Sequence, residues 1–116
     1  MNTTIYHNPK CGTSRTVLEQ LHAAGIEPVV VEYLKNPPSR QTLAGLIRQS
    51  GLTVRQAIRE KEPVYAELGL GDPGLSDEQL LDAMLENPIL INRPFVTTAK
   101  GSRLCRPAEK LQEILP

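Results

Sequence analysis

A strand, a helix and a second strand follow one another within the first 34 residues, and this order constrains the fold more than any other feature. Residues 3–7 predict a strand, residues 12–24 an amphipathic helix that stops at Gly25, and Pro28 to Leu34 a second strand. A strand–helix–strand unit of this length implies a right-handed crossover between parallel strands. The near-continuous apolar run Val29–Val31 further predicts a strand that is buried on both faces of the sheet.

A lone cysteine, Cys11, stands where the first helix begins. The first N–H groups of a helix have no intrahelical partner, and the helix dipole adds partial positive charge there. Both effects favour the nucleophilic thiolate over the thiol, and the same N–H groups can bind an oxyanion. A small buried cysteine in a turn is the alternative. The small or hydroxylic residues Gly12, Thr13 and Ser14 favour a ligand site, because they pack no core.

The composition limits the class of protein. The 116 residues suit one domain, 1–116, and thirteen basic residues balance thirteen acidic ones, which argues against general nucleic-acid or membrane-surface binding. No apolar run approaches the roughly 20 residues of a membrane span, and the N-terminus has no signal-peptide pattern. The two cysteines make no disulfide framework. We therefore expect a cytoplasmic protein with reduced thiols.

The middle of the chain is predicted to be helical, from the break at Asn36-Pro37-Pro38 to about residue 88. Four helices are expected: one from the Ser39 cap to Gly51, one from Thr53 to about Glu60, one from Val64 to Leu68, and one from the Ser76–Gln79 capping box to Asn87.

The last quarter returns to strands. Short strands are predicted at Ile89–Ile91, at Phe95–Thr98 and near Ser102–Cys105, and Pro107 suits the first residue of a final helix. The order βαβ, then helices, then ββα predicts an α/β protein with one mixed sheet and an all-helical insertion at about 36–88.

This order is similar to the thioredoxin-like fold, and four separated segments in register resemble the glutaredoxin-linked arsenate reductases. They cover nearly the whole chain and are His7-Asn8-Pro9-Lys10-Cys11-Gly12-Thr13-Ser14-Arg15, Tyr33-Leu34-Lys35-Asn36-Pro37-Pro38-Ser39-Arg40, Pro88-Ile89-Leu90-Ile91-Asn92-Arg93-Pro94 and Arg103-Leu104-Cys105-Arg106-Pro107.

The resemblance implies that Cys11 is the nucleophile and that Arg59, Arg93 and Arg106 hold the oxyanion. The planar guanidinium fork, which pairs oxygens two at a time, suits that role. Arg59 rests on the weakest local motif, and Arg55 is its nearby rival. The family also places a cis peptide bond before Pro94.

The resemblance implies a reaction sequence as well. The cysteine forms an adduct with arsenate, glutathione attacks arsenic as co-substrate, and arsenite leaves a mixed disulfide that glutaredoxin resolves. The implied partners are thus arsenate, glutathione and glutaredoxin. No bound cofactor and a monomer are expected.

Further residues are expected to have supporting or neutral roles. His7 either supports the Cys11 thiolate or fills the end of the first strand, and Asn8, Gly12, Thr13 and Ser14 are expected to shape the loop. Cys105 is expected to be a strand residue near the site, with a disulfide to Cys11 as the less favoured alternative. Lys10 could tune either the thiol pKa or glutathione binding. The scattered His and Cys residues have no zinc-site spacing, so no metal is expected.

Several other functions are open or disfavoured. A dithiol oxidoreductase or a redox-sensing transcription regulator of this fold needs a second cysteine where Ser14 stands. The phosphatase-like arsenate reductases need an arginine where Val17 stands. The alternative that remains is a glutathione-dependent thiol reductase or a transcription regulator of related fold without arsenate activity. The short chain, which stops at Pro116, keeps that alternative open.

Overall fold

A four-stranded mixed sheet in the order β2-β1-β3-β4 organises the chain, and helices cover both of its faces. The computed structural model describes residues 2–116. Its strands are β1 (Thr4–His7), β2 (Val29–Glu32), β3 (Phe95–Thr98) and β4 (Gly101–Leu104); its α-helices are α1 (Gly12–Ala23), α2 (Arg40–Gln49), α3 (Val54–Ala57), α4 (Pro63–Glu67) and α5 (Asp77–Glu86); and its 3-10 helices are Pro88–Leu90 and Ala108–Glu113.

The predicted strand–helix–strand unit is confirmed. β1 and β2 pair in parallel from Thr4 opposite Val29 to His7 opposite Glu32, and α1 connects them. β1 and β3 pair antiparallel, as do β3 and β4, so the sheet is mixed. The fold is therefore the predicted thioredoxin-like one, with a helical segment between β2 and β3.

The prediction that the valine-rich strand is buried on both faces is wrong. β2 lies at an edge of the sheet, and Val29 and Val30 keep 49% and 42% of their surface exposed. The helical segment that follows returns the chain to the opposite side of β1, where β3 takes the central position. β2 is thus left with one strand neighbour.

The first helix ends as its sequence predicts. Gly25 adopts a positive φ of 79°, its N–H donates to the carbonyl of His22, and the N–H of Ile26 donates to the carbonyl of Leu21. This pair of bonds is a Schellman motif, which favours glycine because a Cβ is strained at that φ. The C-terminal end of α1 is therefore well defined. This fixes the register of the helix against the sheet, and with it the position of the first residue of the helix.

Successive residues of the central strands face two separate cores. Ile5 and Val96 pack with α1 and the C-terminal 3-10 helix, whereas Tyr6 and Phe95 pack with the helices between β2 and β3. This follows from the two-residue period of a strand. The two cores pack against β1 from both sides. The loop after His7 therefore begins at a strand that is fixed in place.

Two predicted elements between β2 and β3 are different in the structure. α3 ends at Ala57, and Ile58 is extended and forms an isolated bridge with Ile91. Residues Pro88–Leu90 form a 3-10 turn in place of the predicted strand, with the Ile91 N–H bonded to the carbonyl of Pro88. Both changes bring residue 59 beside this turn, where its N–H donates to the carbonyl of Leu90 at 2.8 Å.

The last predicted helix is a 3-10 helix over Ala108–Glu113, and Pro107 precedes it as the N-cap rather than its first residue. Leu111 and Ile114 are fully buried against α1. Within residues 2–116, every helix is too short or too polar to cross a bilayer.

Candidate active site

Cys11 is the N-cap residue of α1, with extended backbone angles, and its side chain makes no capping hydrogen bond. Its N–H donates to the carbonyl of Asn8, and its carbonyl accepts the N–H of Arg15, each at 3.0 Å. The backbone of this residue is therefore anchored on both sides. The sulfur remains partly exposed at the positive end of a twelve-residue helix.

The pKa of the Cys11 thiol is lowered. Partial burial by itself raises that pKa, but the backbone N–H of Ser14 and the guanidinium groups of Arg106 and Arg93 outweigh it by stabilising the thiolate. Arg106 donates to the sulfur, with Nη1 at 3.5 Å from Sγ. A lowered thiol pKa is what an activated nucleophile requires.

A buried hydroxyl shapes the loop between β1 and α1. Ser14 Oγ lies 2.6 Å from Nδ1 of His7 and accepts the N–H of Asn8 at 3.1 Å. The side-chain oxygen of Asn8 in turn accepts the N–H of Lys10 at 2.9 Å. These three bonds tie both ends of the loop together around Cys11.

His7 fills the end of β1, which is one of the two predicted alternatives. The buried ring of His7 forms a hydrogen bond with Ser14 and not with the sulfur. Burial lowers the pKa of this imidazole, the nearby Glu32 raises it, and Arg15 lowers it. The neutral ring is favoured, so His7 supports Cys11 only by holding the loop.

Gly12 and Thr13 form the first turn of α1 beside the sulfur. Gly12 is exposed, and a Cβ added there would meet only the guanidinium of Arg15 at an ordinary 3.8 Å. Thr13 is half-buried. Their small size leaves the approach to the sulfur open, but nothing in the local packing requires glycine at position 12.

Arg93 is the most buried of the three predicted arginines, with 8% of its side chain exposed. Its Nη1 donates to the carbonyl of Ile89 at 3.0 Å, and its Nη2 donates to Glu62 at 3.2 Å. Its own carbonyl accepts Nη1 of Arg106 at 3.1 Å, which connects two of the predicted arginines directly. The peptide bonds that precede Pro94 and Pro107 are both cis.

Arg59 lies next to Arg93 through shared partners. Its Nη1 donates to Asn92 Oδ1 at 3.5 Å, and its Nε lies 3.4 Å from the same Glu62 oxygen that accepts from Arg93. The rival Arg55 is elsewhere, since it donates to the Tyr65 hydroxyl and to the carbonyls of Leu70 and Asp72. Arg55 therefore stabilises a surface loop, whereas Arg59 lies in the candidate site.

Two buried guanidinium nitrogens in this cluster have no hydrogen-bond partner within residues 2–116: Nε of Arg59 and Nε of Arg93. Buried polar groups are normally paired, because an unmade hydrogen bond costs free energy. Nε of Arg59 lies 3.4 Å from Glu62 as an ion pair, whereas Nε of Arg93 is a free cationic donor, which is what a site for a small oxyanion would offer.

Three further residues of the site escaped the sequence analysis. Asn92 accepts from Arg59 and from the N–H of Arg93, and Glu62 joins both guanidiniums. Tyr33 is buried beneath the site: burial raises its pKa, while Arg93 and the Asn8 side chain lower it. Tyr33 and Asn92 stand in two of the segments that resemble the family, whereas Glu62 lies outside all four of them.

Cys105 is fully buried after β4, and burial raises the pKa of its thiol to about 12. It packs in the core between the sheet and α1, where it remains a protonated thiol at neutral pH. Both cysteines are free. Nowhere in residues 2–116 do three or more His, Cys, Asp or Glu side chains gather as metal ligands would.

A groove of about 290 Å³ opens beside the Cys11 loop on the side of β2. Its walls combine apolar and charged side chains, and they are His7, Asn8, Pro9, Lys10, Glu32, Leu34 and Lys35. Lys10 precedes Cys11 directly, so the groove leads to the residue next to the nucleophile.

A thioredoxin-like sheet that carries one activated cysteine beside a cluster of arginines is typical of one class: proteins that act on an oxyanion with a single reactive thiol. The comparisons with known proteins agree, since the model of the ArsC family matches residues 6–114. The chain belongs to the ArsC family.

Named relatives cover essentially the whole chain. A protein of Rhizobium meliloti (strain 1021) named arsenate reductase is 68% identical over 116 residues, which is 100% of this chain and 83% of that protein. An arsenate reductase of Escherichia coli (strain K12) is 51% identical over 115 residues, 99% of this chain and 82% of that protein. The solved structure of an arsenate reductase from Vibrio cholerae superposes with a TM-score of 0.94 at 48% identity, covering 99% and 98% of the two chains.

Proposed function

We propose that this protein reduces arsenate to arsenite, with Cys11 as the nucleophile and Arg59, Arg93 and Arg106 as the groups that bind the oxyanion. The observation that carries the proposal is the contact of Arg106 with the Cys11 sulfur beside the buried, unpartnered Nε of Arg93. A thiolate and free cationic donors in one place suit attack on the central atom of a tetrahedral oxyanion. The names of the close relatives support the same chemistry.

The first step forms a bond between the Cys11 sulfur and arsenic, and one arsenate oxygen leaves as water after protonation. The arginines hold the remaining oxygens and offset the negative charge that the thiolate brings to an anion. Arg106 contacts the thiolate before attack. Because it also donates to the carbonyl of Arg93, it stays attached to the pocket while the adduct forms.

The second half of the cycle needs an external thiol. Reduction of arsenic(V) to arsenic(III) takes two electrons, and Cys11 can supply them only by pairing its sulfur with another. Cys105 is a poor partner because it is fully buried with a pKa of about 12. Glutathione is the proposed co-substrate: its sulfur joins that of Cys11 as arsenite leaves, and glutaredoxin then regenerates the free thiol by disulfide exchange.

The groove beside Lys10 offers room for such a thiol next to the nucleophile. The proposed working unit is the monomer, because residues of a single chain suffice to form the site described above. The proposed location is the cytoplasm, where glutathione and free thiols persist.

A coupled assay tests this proposal. Arsenate, glutathione, glutaredoxin and glutathione reductase are mixed with the protein, and arsenate-dependent oxidation of NADPH is followed. We expect turnover that requires glutaredoxin, is abolished in Cys11→Ser and persists in Cys105→Ser. Reduction of a glutathione mixed disulfide without any arsenate-dependent rate would instead identify a thiol reductase. A folded Cys105→Ser variant without activity would establish an internal disulfide mechanism.

A further inference from the structure

Glu62 occupies an unusual position for a glutamate, because it contacts two of the three arginines of the site. One oxygen, Oε1, lies 3.2 Å from Nη2 of Arg93 and 3.4 Å from Nε of Arg59. The Glu62 side chain is only 20% exposed, and those of Arg59 and Arg93 are 21% and 8% exposed. Charges this sheltered are screened far less than surface ion pairs.

Glu62 is also the N-cap residue of α4, but its side chain does not cap that helix. A serine, aspartate or asparagine would serve the helix better, since their short side chains reach the free N–H groups. The glutamate carboxylate instead points to the arginines. Local rules of this kind are typically broken where a residue serves a site.

The arginines would not hold this arrangement unaided. Two guanidinium groups that share one neighbour repel each other, and both have few other partners: Arg93 bonds to the carbonyl of Ile89, and Arg59 bonds to Asn92 at the long distance of 3.5 Å. A single carboxylate between them offsets this repulsion and sets their spacing. Arg106 does not depend on Glu62, because it is attached to the carbonyl of Arg93.

From these contacts we propose that Glu62 is a positioning residue, which holds Arg59 and Arg93 together as one clamp for the oxyanion. It does not touch the reacting sulfur, and it is absent from the groups that set the Cys11 pKa. Its effect falls on the binding of the anion, whereas the chemistry at Cys11 is left intact. The inference rests on the proposed function, in which these arginines bind arsenate.

The test compares Glu62→Gln with Glu60→Gln, a matched control two residues earlier. Glu60 is exposed and makes no ion pair within the described chain. We expect Glu62→Gln to raise the arsenate KM about tenfold with kcat within about twofold of the parent, since one charge-assisted contact on each arginine is weakened. Glu60→Gln should leave both constants unchanged.

Two further variants separate positioning from general structure. Glu62→Asp keeps the charge but shortens the reach, so its KM should lie between those of the parent and Glu62→Gln. In an Arg59→Lys background, Glu62→Gln should add much less than tenfold, because the clamp is already broken. The pH dependence of Cys11 alkylation should be the same in all of these variants.

An unchanged KM in a folded Glu62→Gln variant overturns the proposal, and so does a lowered KM, which would mean that the carboxylate competes with the anion. If Glu62→Gln does not fold, Glu62→Asp decides by the same criteria. Protection of Cys11 from iodoacetamide by arsenate is measured alongside as a binding assay without turnover. If the protein reduces no arsenate but protection is weakened in Glu62→Gln, the proposed function fails and the role of Glu62 stands.

Discussion

Removal of the Ser14 hydroxyl should destabilise the protein and slow the reaction of Cys11. In Ser14→Ala the helix propensity does not suffer and little volume is lost. The change therefore isolates the hydrogen bonds of a fully buried oxygen, which lies 2.6 Å from His7 Nδ1 and 3.1 Å from the Asn8 nitrogen.

The magnitude follows from the groups that lose a partner. The Asn8 N–H and the His7 ring nitrogen are both left unpaired in a buried place, and each such group costs about 1–3 kcal/mol. The ring can rotate or change tautomer, so the sum should fall at about 2–4 kcal/mol of the unfolding free energy. For a domain of this size that corresponds to a fall in Tm of roughly 8–16 °C, at about 4 °C per kcal/mol.

Ser50→Ala is the matched control. Ser50 Oγ is also buried, but it has no hydrogen-bond partner in the described chain. Its removal should change the unfolding free energy by less than about 0.5 kcal/mol. Urea denaturation followed by circular dichroism measures both variants, and the rate of Cys11 alkylation at neutral pH reports on the loop.

The reasoning is refuted if Ser14→Ala and Ser50→Ala are equally stable. It is also refuted if Ser14→Ala loses stability while Cys11 alkylates at the parental rate, because the hydroxyl would then stabilise the fold without shaping the site.

Three more outcomes follow from the same contacts. Because the pKa of Cys11 is lowered and that of Cys105 is raised to about 12, iodoacetamide at about pH 7 should label only Cys11 in the folded protein; labelling of both thiols, seen by mass spectrometry, would contradict this. Arg93→Lys keeps the charge but loses the planar guanidinium fork. The lost charged hydrogen bonds contribute about 1.5–3 kcal/mol, so the arsenate KM should rise roughly 10–150-fold. The same substitution at the exposed Arg48 is the control. The pKa of His7 is lowered below 6.5 on folding, so its contribution to stability is complete above that pH and is lost as the pH falls toward the folded-state pKa. Urea midpoints from about pH 7.5 to 5.5 should therefore fall less steeply in His7→Gln, and parallel slopes would contradict the assignment.

Local sequence signals predicted the first third of the fold well. Gly25 ends α1 with the hydrogen-bond pattern that a glycine at this position predicts. Cys11 stands at the helix start that the strand–turn–helix order implies. What failed was the assignment of burial and strand character to apolar runs. Val29–Val31 lies at a sheet edge and Ile89–Ile91 begins in a 3-10 turn, because the sheet order and the contacts of neighbouring segments decide both.

The residues of the site also divide into those that the sequence predicted and those that it did not. Cys11 was indicated by its place at a helix start, and the arginines were indicated by the resemblance of this chain to a family. The contacts of Glu62 and Asn92 span 31 and 33 residues, from Glu62 to Arg93 and from Arg59 to Asn92. Only the folded chain brings these partners together. The role of His7 could not be predicted from the sequence either. Its hydrogen-bond partner Ser14 lies across the loop, and the distance from the His7 ring to the Cys11 sulfur does not follow from their spacing in the sequence.

The exposed valines of β2 have a consequence for the protein in concentrated solution. A sheet edge with apolar side chains is a place where another chain can add a strand. Here the edge is only four residues long, and Pro28, which has no N–H to offer, stands immediately before it. Glu32 at its far end pairs with Lys35 and adds charge. Shortness, proline and charge are the features by which natural proteins discourage edge-to-edge aggregation, so this chain should stay dispersed although two valines face the solvent.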